Sequence, residues 1–235
     1  MSNAIDRHFA EKLLLTFDNP DEHGVHFLFN EWWRHAPAAV TQQYLEAFRS
    51  VPEAEAFLAS GYYADPLDLD TLAGYRHETL GHSYYHFIVD NGLEAKIATN
   101  YRMLHEHMES SGALDGMPEE FKYAIIRGFQ IHDFMHLLTG YDPDGPGEIA
   151  LQAFTLAQMH FPYMAMWMSV LTTRMTFLEP DSIPTVMDNI AEGWQFGNRA
   201  GNIAFLEYEK MLDRPLLDIR REYGIDPAGG GALAG

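Results

Sequence analysis

Apolar residues recur along this chain at intervals of three and four positions, the spacing that places side chains on one face of an α-helix. Segments that alternate strictly between apolar and polar residues, which would predict strands, are nearly absent. The pattern therefore predicts an all-α fold, a single domain of roughly eight to ten helices over residues 1–226. The Gly- and Ala-rich residues 227–235 are expected to form a disordered tail. Outside the centre of the chain, helices are predicted over 5–17, 26–34, 38–49, 52–59, 71–86 and 93–110.

Two central helices are predicted in the second half of the chain. The first follows Pro118 and should end near Gly140, because residues 141–147, Tyr-Asp-Pro-Asp-Gly-Pro-Gly, are rich in turn formers. The second should begin near Gly147 and break at Pro162, which lacks a backbone N–H group. The apolar stripe of the first helix runs through Phe121, Ile125, Gly128, His132 and His136.

Two histidines at the end of this stripe are candidate metal ligands. His132 and His136 are four residues apart, so both side chains can reach one ion from the same helix face. Asp133 lies about 60° around the helix from His136, at roughly 100° per residue. The chain would fold back after the turn, so that Glu148, in the first turn of the second helix, lies beside the two histidines. Two imidazoles and two carboxylates suit zinc, iron or manganese, and we predict a metal site between the two helices.

A purely structural role for these histidines is the main alternative. A single histidine on an apolar stripe is usually a core residue, but an unpaired cluster of two histidines and two carboxylates would carry a large desolvation penalty. A second pair with the same spacing, His82 and His86, has no carboxylate among its flanking residues 83–85. We therefore interpret the second pair as ordinary histidines and the first as the metal site.

Residues downstream of the metal motif are candidates for binding a substrate with an apolar tail. The second helix presents polar and sulfur-containing groups on the face that carries Glu148, and residues 163–177 are rich in methionine, which lines adaptable apolar grooves. Three glycines recur at four-residue spacing in the last long helix, where each costs roughly 1 kcal/mol relative to alanine. Their compensating neighbour could be another helix, a partner subunit as in a homodimer, or a ligand. The candidate substrate-binding residues are Gln152, Thr155, Met159, Met164, Trp167, Gly193, Gly197 and Gly201.

The amino-acid composition limits which kinds of molecule the chain can bind. The net charge of −19 argues against nucleic acid, which needs a basic surface, and the absence of cysteine excludes disulfides and thiolate ligands. Residues 1–16 lack the basic start and continuous apolar run of a signal peptide, and residues 163–177 are too short to span a bilayer. We expect a cytoplasmic protein without a transmembrane helix, in peripheral contact with the inner face of a membrane through apolar groups.

The motif His132-Asp133-x-x-His136, eleven further residues and then Glu148 resembles the signature of the Coq-four family of ubiquinone biosynthesis proteins. The segments 214–216, Arg-Pro-Leu, and 224–225, Gly-Ile, also resemble that family. The resemblance extends over 117–225, is faint over 71–92 and is not evident before residue 51. Residues 1–60 are therefore expected to be divergent amino-terminal helices.

This resemblance implies an all-helical enzyme with a divalent ion, zinc before iron or manganese. The implied metal ligands and catalytic residues are His132, Asp133, His136 and Glu148. The implied reaction is the oxidative decarboxylation of a 4-hydroxy-polyprenylbenzoate, in which a hydroxyl group replaces the ring carboxylate. The implied partners are a polyprenylated aromatic lipid and other ubiquinone-biosynthesis proteins.

Two other classes of function compete with this enzyme. One is a non-catalytic lipid-binding scaffold that organises ubiquinone-biosynthesis enzymes. The other is a metal-dependent hydrolase, because HDxxH resembles the motifs of HD phosphohydrolases and zinc peptidases. Asp133 fits a metal ligand better than the general base of a peptidase, which is a glutamate at that position.

Overall fold

A computed structural model describes residues 7–227, in which helices supply the regular structure. These residues contain no strand, only one isolated antiparallel bridge between Thr79 and Pro215. The prediction of an all-α fold is confirmed, whereas residues 228–235 of the expected tail lie outside the described range. The α-helices are α1 (Arg7–Asp18), α2 (Pro20–His23), α3 (Val25–Trp32), α4 (Ala38–Arg49), α5 (Ala54–Ser60), α6 (Leu69–Ala73), α7 (Leu80–Asp90), α8 (Glu94–Ile97), α9 (Tyr101–Ser110), α10 (Glu119–Thr139), α11 (Gly145–Met159), α12 (Tyr163–Leu178), α13 (Ile183–Arg199) and α14 (Leu216–Glu222).

The described chain forms more helices than the eight to ten expected, because the short helix α2 was not predicted and two segments expected to be continuous are divided. The segment 71–86 is split between α6 and α7, and the segment 93–110 between α8 and α9. Each second helix begins at a polar N-cap. The Thr79 hydroxyl accepts a hydrogen bond from the His82 N–H group, and the Asn100 side chain accepts one from the Met103 N–H group.

The amino-terminal helices pack against the beginning of α10. The ring of Phe121, in the first turn of α10, lies 5.3 Å from that of Trp33, 5.7 Å from that of Phe48 and 4.8 Å from that of Phe161. Phe121, Phe48 and Phe161 are all at most 1% exposed. Aromatic side chains bury large apolar areas, so the residues before 60 share one core with the metal-motif helix.

The end of α10 is fixed by backbone geometry and by one buried arginine. Gly140 adopts φ 78°, a left-handed conformation that suits glycine at a helix end, and its N–H group donates to the carbonyl oxygen of His136. Arg220 of α14 donates hydrogen bonds to the carbonyl oxygens of Leu137 and Leu138, at 2.8 and 3.0 Å. These carbonyls have no partner within the helix, so Arg220 holds the chain immediately beyond the metal motif.

The helix α11 begins two residues earlier than predicted and carries Glu148 in its first turn, as predicted. The Asp144 side chain caps this helix by accepting a hydrogen bond from the Gly147 N–H group at 2.8 Å. The helix ends at Met159 with His160 as its C-cap, and Pro162 then precedes α12. Within residues 7–227, no helix has both the length and the apolar composition required to cross a bilayer.

Gly193 and Gly197 serve helix packing, which corrects the expectation that they line a substrate groove. A Cβ atom on Gly193 would collide with the Ala150 carbonyl oxygen, and one on Gly197 would lie 2.5 Å from the Phe154 carbonyl oxygen. Both carbonyl groups belong to α11, so the glycines let α13 approach its backbone closely. Gly201 follows α13 and donates its N–H group to the carbonyl oxygen of Tyr223 at 2.7 Å.

Candidate metal centre and adjoining cavity

Three of the four predicted ligands converge at the junction of α10 and α11. The Nε2 atom of His132 lies 3.3 Å from Oε2 of Glu148, and Nε2 of His136 lies 3.3 Å from Oε1 of the same carboxylate. One ligand atom from each of the three residues lies within 4.8 Å of the other two. Within residues 7–227 no other three His, Asp or Glu side chains lie this close together. In particular, no such group forms around His82 and His86.

The other ring nitrogen of His136 determines which nitrogen faces Glu148. The Nδ1 atom donates a hydrogen bond to the carbonyl oxygen of Tyr141 at 3.0 Å. In the neutral ring, Nε2 then carries a lone pair that faces a carboxylate oxygen. Two facing lone pairs repel unless a proton or a cation lies between them. The donor set of two imidazole nitrogens and a carboxylate therefore fits a divalent ion such as zinc.

Asp133 lies apart from this convergent group, although it was expected among the ligands. Its Oδ1 atom is 3.3 Å from Nδ1 of His132, on the side of the ring away from Glu148. Carboxylates in this position orient a histidine ligand and increase its basicity. The Asp133 side chain is 7% exposed and also lies 3.4 Å from the Nζ atom of Lys96.

Without an ion, the site would favour ionised carboxylates and a protonated His132. Burial alone would lower the pKa of His132, but hydrogen bonds to Asp133 and Glu148 and their negative charges outweigh it and raise the pKa to about 9. Burial alone would raise the pKa of Glu148, but the hydrogen bond from protonated His132 and its positive charge hold that pKa below its usual range. The pKa of Asp133 is lowered in the same way, against the effect of burial, by His132 and Lys96. A metal ion would replace the proton on His132.

A cavity of about 470 Å³ adjoins this group. Its volume is typical of small-molecule sites. Five of the eight predicted substrate-binding residues line it. The three that do not are Gly193 and Gly197 of α13 and Gly201, which follows that helix. Those five residues are Gln152, Thr155, Met159, Met164 and Trp167.

The order of the lining residues along the two helices shows that His132 and Glu148 lie towards one end of the cavity. Lining residues on α10 run from Ala124 to Met135, and those on α11 run from Glu148 to Met159. Each stretch of eleven steps covers about 16 Å at 1.5 Å per residue. Since a short turn joins the end of α10 to the start of α11, the candidate ligands lie near that turn and Met159 lies far from it.

Two features inside the cavity leave it open to a ligand. A Cβ atom placed on Gly128 would have no atom within 4 Å, so this residue borders empty space. The Gln152 side chain is only 9% exposed, lines the cavity and has no hydrogen-bond partner among the described residues. An amide has two N–H donors and an oxygen acceptor, and a polar group of a ligand could pair with them.

Several cavity residues were not identified from the sequence. Lys96, Tyr101, Phe129, Tyr163 and His26 all line the cavity. Most come from α3, α8 and α9, which are far from the motif in the sequence, and no local pattern connects them with it. Gly128 was detectable, because it lies on the same stripe as His132 and is the smallest residue there.

Comparison with solved structures supports the fold. A chain from Nostoc punctiforme PCC 73102, described as a candidate ubiquinone biosynthesis protein, matches with a TM-score of 0.70. The match covers 93% of this chain and 95% of that chain at 21% sequence identity. At this level of identity, the similarity establishes a shared fold.

Curated relatives are the ubiquinone biosynthesis proteins COQ4 of eukaryotes, which are named mitochondrial. The protein from Nematostella vectensis is 26% identical over 168 residues, 69% of this chain and 73% of its own length. The homologue from Mus musculus is 25% identical over 166 residues, 68% of this chain and 55% of its own length. The chain spans about half the length of several of these relatives. The cytoplasmic location expected from the sequence stays a prediction.

The family match extends well beyond the motif. The family model described as coenzyme Q (ubiquinone) biosynthesis protein Coq4 matches residues 63–229. This range includes the 117–225 region recognised from the sequence, together with α6 to α9, where the resemblance was faint or not apparent. The matched range covers most of the chain and contains the three convergent residues His132, His136 and Glu148. The chain therefore belongs to the Coq4 family of coenzyme Q (ubiquinone) biosynthesis proteins.

Proposed function

We propose that this chain acts in ubiquinone biosynthesis as a metal-dependent oxidative decarboxylase of a 4-hydroxy-polyprenylbenzoate. The observation that carries this proposal is the direct junction between the His132, His136 and Glu148 group and an apolar cavity. Membership of the Coq4 family supports the pathway. A substrate with a reactive aromatic head and a long apolar tail matches a site with these two parts.

The residues of the cavity would bind and orient such a substrate. The tail would lie along Met159, Met164 and Trp167, where each buried methylene group contributes about 0.8 kcal/mol. The aromatic head would then lie at the other end, beside Glu148. Gln152 would supply a hydrogen bond to a polar group of the ring, because its amide is otherwise without a partner.

His132, His136 and Glu148 would hold the ion, and Asp133 would orient His132. A divalent ion bound there supplies a Lewis acid that stabilises negative charge on a carboxylate or phenolate oxygen. Zinc has no redox chemistry, so with zinc the electron-rich phenolate would be the group that reacts with oxygen. Iron or manganese would remove this restriction, and the donor set is compatible with all three.

The net reaction requires O₂ and an external two-electron donor. The ring carbon loses its carboxyl group as carbon dioxide and gains one oxygen atom as a hydroxyl group. The second oxygen atom leaves as water, with two electrons and two protons from the donor. Exclusion of bulk water by the apolar lining of the cavity would protect the reacting ring from side reactions.

A lipid-binding scaffold is the second candidate, because the cavity could hold a prenylated lipid without reacting with it. In that function the chain would bring lipid intermediates to other ubiquinone-biosynthesis proteins. Peripheral contact with a membrane would serve either function.

Turnover of a synthetic prenylated 4-hydroxybenzoate by the metal-loaded full chain tests the proposal. Mass spectrometry should detect the product with a hydroxyl group in place of the carboxyl group, and metal analysis should find about one divalent ion per chain. The His136→Ala variant should lose both. Tight binding of the lipid without product, with zinc, iron or manganese and a reductant present, would favour the scaffold.

A further inference from the structure

Lys96 is the one Lys or Arg side chain among the described residues that line the cavity. It lies in the short helix α8, with its Nζ atom 3.4 Å from Oδ1 of Asp133. The Lys96 side chain is 51% exposed, so its ammonium group lies where the cavity meets solvent. From this position it can contact the head of a bound molecule beside Asp133.

The charges around the cavity favour an anionic ligand. The carboxylates that line the cavity are Asp133 and Glu148. A divalent ion would balance both of them, since histidine ligands are neutral. Lys96 then leaves one positive charge in excess. A ligand with a single negative charge that lies beside this ammonium group would balance it.

The contact between Lys96 and Asp133 leaves the ammonium group available. Strong hydrogen bonds between charged nitrogen and oxygen atoms measure about 2.7–2.9 Å, whereas this contact measures 3.4 Å. An ammonium group has three donors, of which Asp133 uses at most one. The flexible four-carbon stem of lysine also allows the group to follow a ligand.

We propose that Lys96 is a specificity-determining residue that binds the carboxylate of an amphiphilic ligand whose apolar tail occupies the cavity. This assignment rests on the proposed function, because it connects one group of the proposed substrate with one side chain. Lys96 also distinguishes the acid from its decarboxylated product, which lacks a carboxylate. The same contact therefore favours binding of the acid and release of the product.

A structural role for Lys96 makes a different prediction. If Lys96 served only to hold Asp133 in place, its removal would disturb His132 and reduce the metal content. Ligands with and without a carboxylate would then be affected alike. The loss of a direct contact with the ligand affects only the acid and leaves the ion in place.

Binding measurements on the zinc-loaded full chain separate these roles. Titration calorimetry in oxygen-free buffer compares a farnesylated 4-hydroxybenzoate with the farnesylated phenol that lacks the carboxyl group. The variants are Lys96→Met, which removes the charge, and Lys96→Arg, which keeps it. Lys210→Met is the matched control, because the Lys210 side chain is 56% exposed and does not line this cavity.

The expected result is a loss of preference for the acid in one variant. Lys96→Met should lower the ratio of acid to phenol affinity about tenfold, the scale of a hydrogen bond between charged groups. Phenol affinity and zinc content should stay within about twofold, Lys96→Arg should keep most of the preference, and Lys210→Met should change neither affinity.

Four outcomes would overturn the assignment. They are a wild-type chain that does not prefer the acid, an unchanged ratio in Lys96→Met, equal weakening of both ligands, and loss of zinc. None of these readouts depends on turnover. A chain without decarboxylase activity that still prefers the acid through Lys96 would therefore disprove the proposed reaction and retain this assignment.

Discussion

His136 directs its Nε2 atom towards Glu148 because its Nδ1 atom donates to the carbonyl oxygen of Tyr141. This orientation predicts that the purified chain carries about one divalent ion. Replacing His132 or His136 with alanine should weaken metal binding by orders of magnitude, since each removes one of three convergent ligands. Metal analysis after dialysis, with His82→Ala as the matched control, measures the effect. Full occupancy in the His132→Ala/His136→Ala double variant would disprove the site.

Substitutions of Asp133 and Glu148 test which of the two carboxylates binds the ion directly. Asp133→Asn should weaken metal affinity by about 10- to 100-fold, the usual effect of losing a partner that orients a ligand. Glu148→Gln should weaken it more, because it removes a ligand oxygen from the convergent group. Equal losses in the two variants would indicate that Asp133 also binds the ion directly, as the sequence motif suggested.

The metal-free chain should lose stability as the pH rises from 6.5 to 9. Burial opposes protonation of His132, but Asp133 and Glu148 raise its pKa to about 9, above the usual value of about 6.5. Its stabilising contribution is therefore complete below pH 6.5 and is lost as the pH rises through 9. At about 1.4 kcal/mol per pH unit the loss amounts to about 3 kcal/mol.

Urea unfolding of the metal-free chain at pH 6.5 and pH 9 measures this difference. The His132→Gln variant should show little of it, and zinc-loaded protein should instead bind its ion more tightly as the pH rises. The pKa values of His26 and His82 are lowered, so their titration falls below this range of pH. A metal-free chain equally stable at both values would contradict the geometry around His132.

The fold class and the central motif could be predicted because their determinants are local. Helical spacing, the turn formers after Gly140 and the break at Pro162 lie within short stretches of sequence. The spacing of His132, His136 and Glu148 could predict that these three candidate ligands lie together for the same reason. Two helix boundaries were not predicted, although Thr79 and Asn100 are residue types that favour the N-cap position.

The rest of the site depends on contacts between distant segments. Lys96 reaches Asp133 from α8, and nothing in the sequence around either residue connects them. The glycines of α13 required a close neighbour, but only the structure identifies that neighbour as the backbone of α11 rather than a ligand. Spacing therefore predicts which residues share a face and not which surface that face contacts.

A buried ion pair connects α10 with the segment that precedes α14. Arg127 donates to both carboxylate oxygens of Glu209 at 2.6 and 2.7 Å, and the two side chains are 1% and 5% exposed. Arg127→Met should destabilise the chain by about 3–5 kcal/mol, because Glu209 would remain buried without a partner. Chemical unfolding measures this loss.

Two further variants identify the cause of that destabilisation. The double variant Arg127→Met/Glu209→Met should recover much of the stability, because it leaves no unpaired charge. Arg221→Met, which breaks an exposed pair with Asp218, should cost less than about 1 kcal/mol. If Arg127→Met and Arg221→Met cost the same, the buried pair contributes no more than a surface pair.

The last prediction concerns the lipid tail and uses two glycines in different surroundings. Gly128 borders the empty cavity, whereas a Cβ atom on Gly197 would lie 2.5 Å from the Phe154 carbonyl oxygen. Gly128→Leu should fold normally, since leucine is favoured over glycine in a helix by up to about 1 kcal/mol. Its side chain would fill space in which the tail is expected to lie. Gly197→Leu should instead separate α11 from α13 and lower stability.

Binding of two ligands shows whether the tail lies in this cavity. Gly128→Leu should weaken a farnesylated hydroxybenzoate strongly and 4-hydroxybenzoate without a tail only slightly, while zinc content stays unchanged. The reason is that the added side chain removes apolar volume from the tail region but does not contact the three ligands. Gly197→Leu should affect both ligands in proportion to the fraction of unfolded protein. If Gly128→Leu weakens both ligands equally or neither of them, the tail does not pass Gly128 and the cavity serves another ligand.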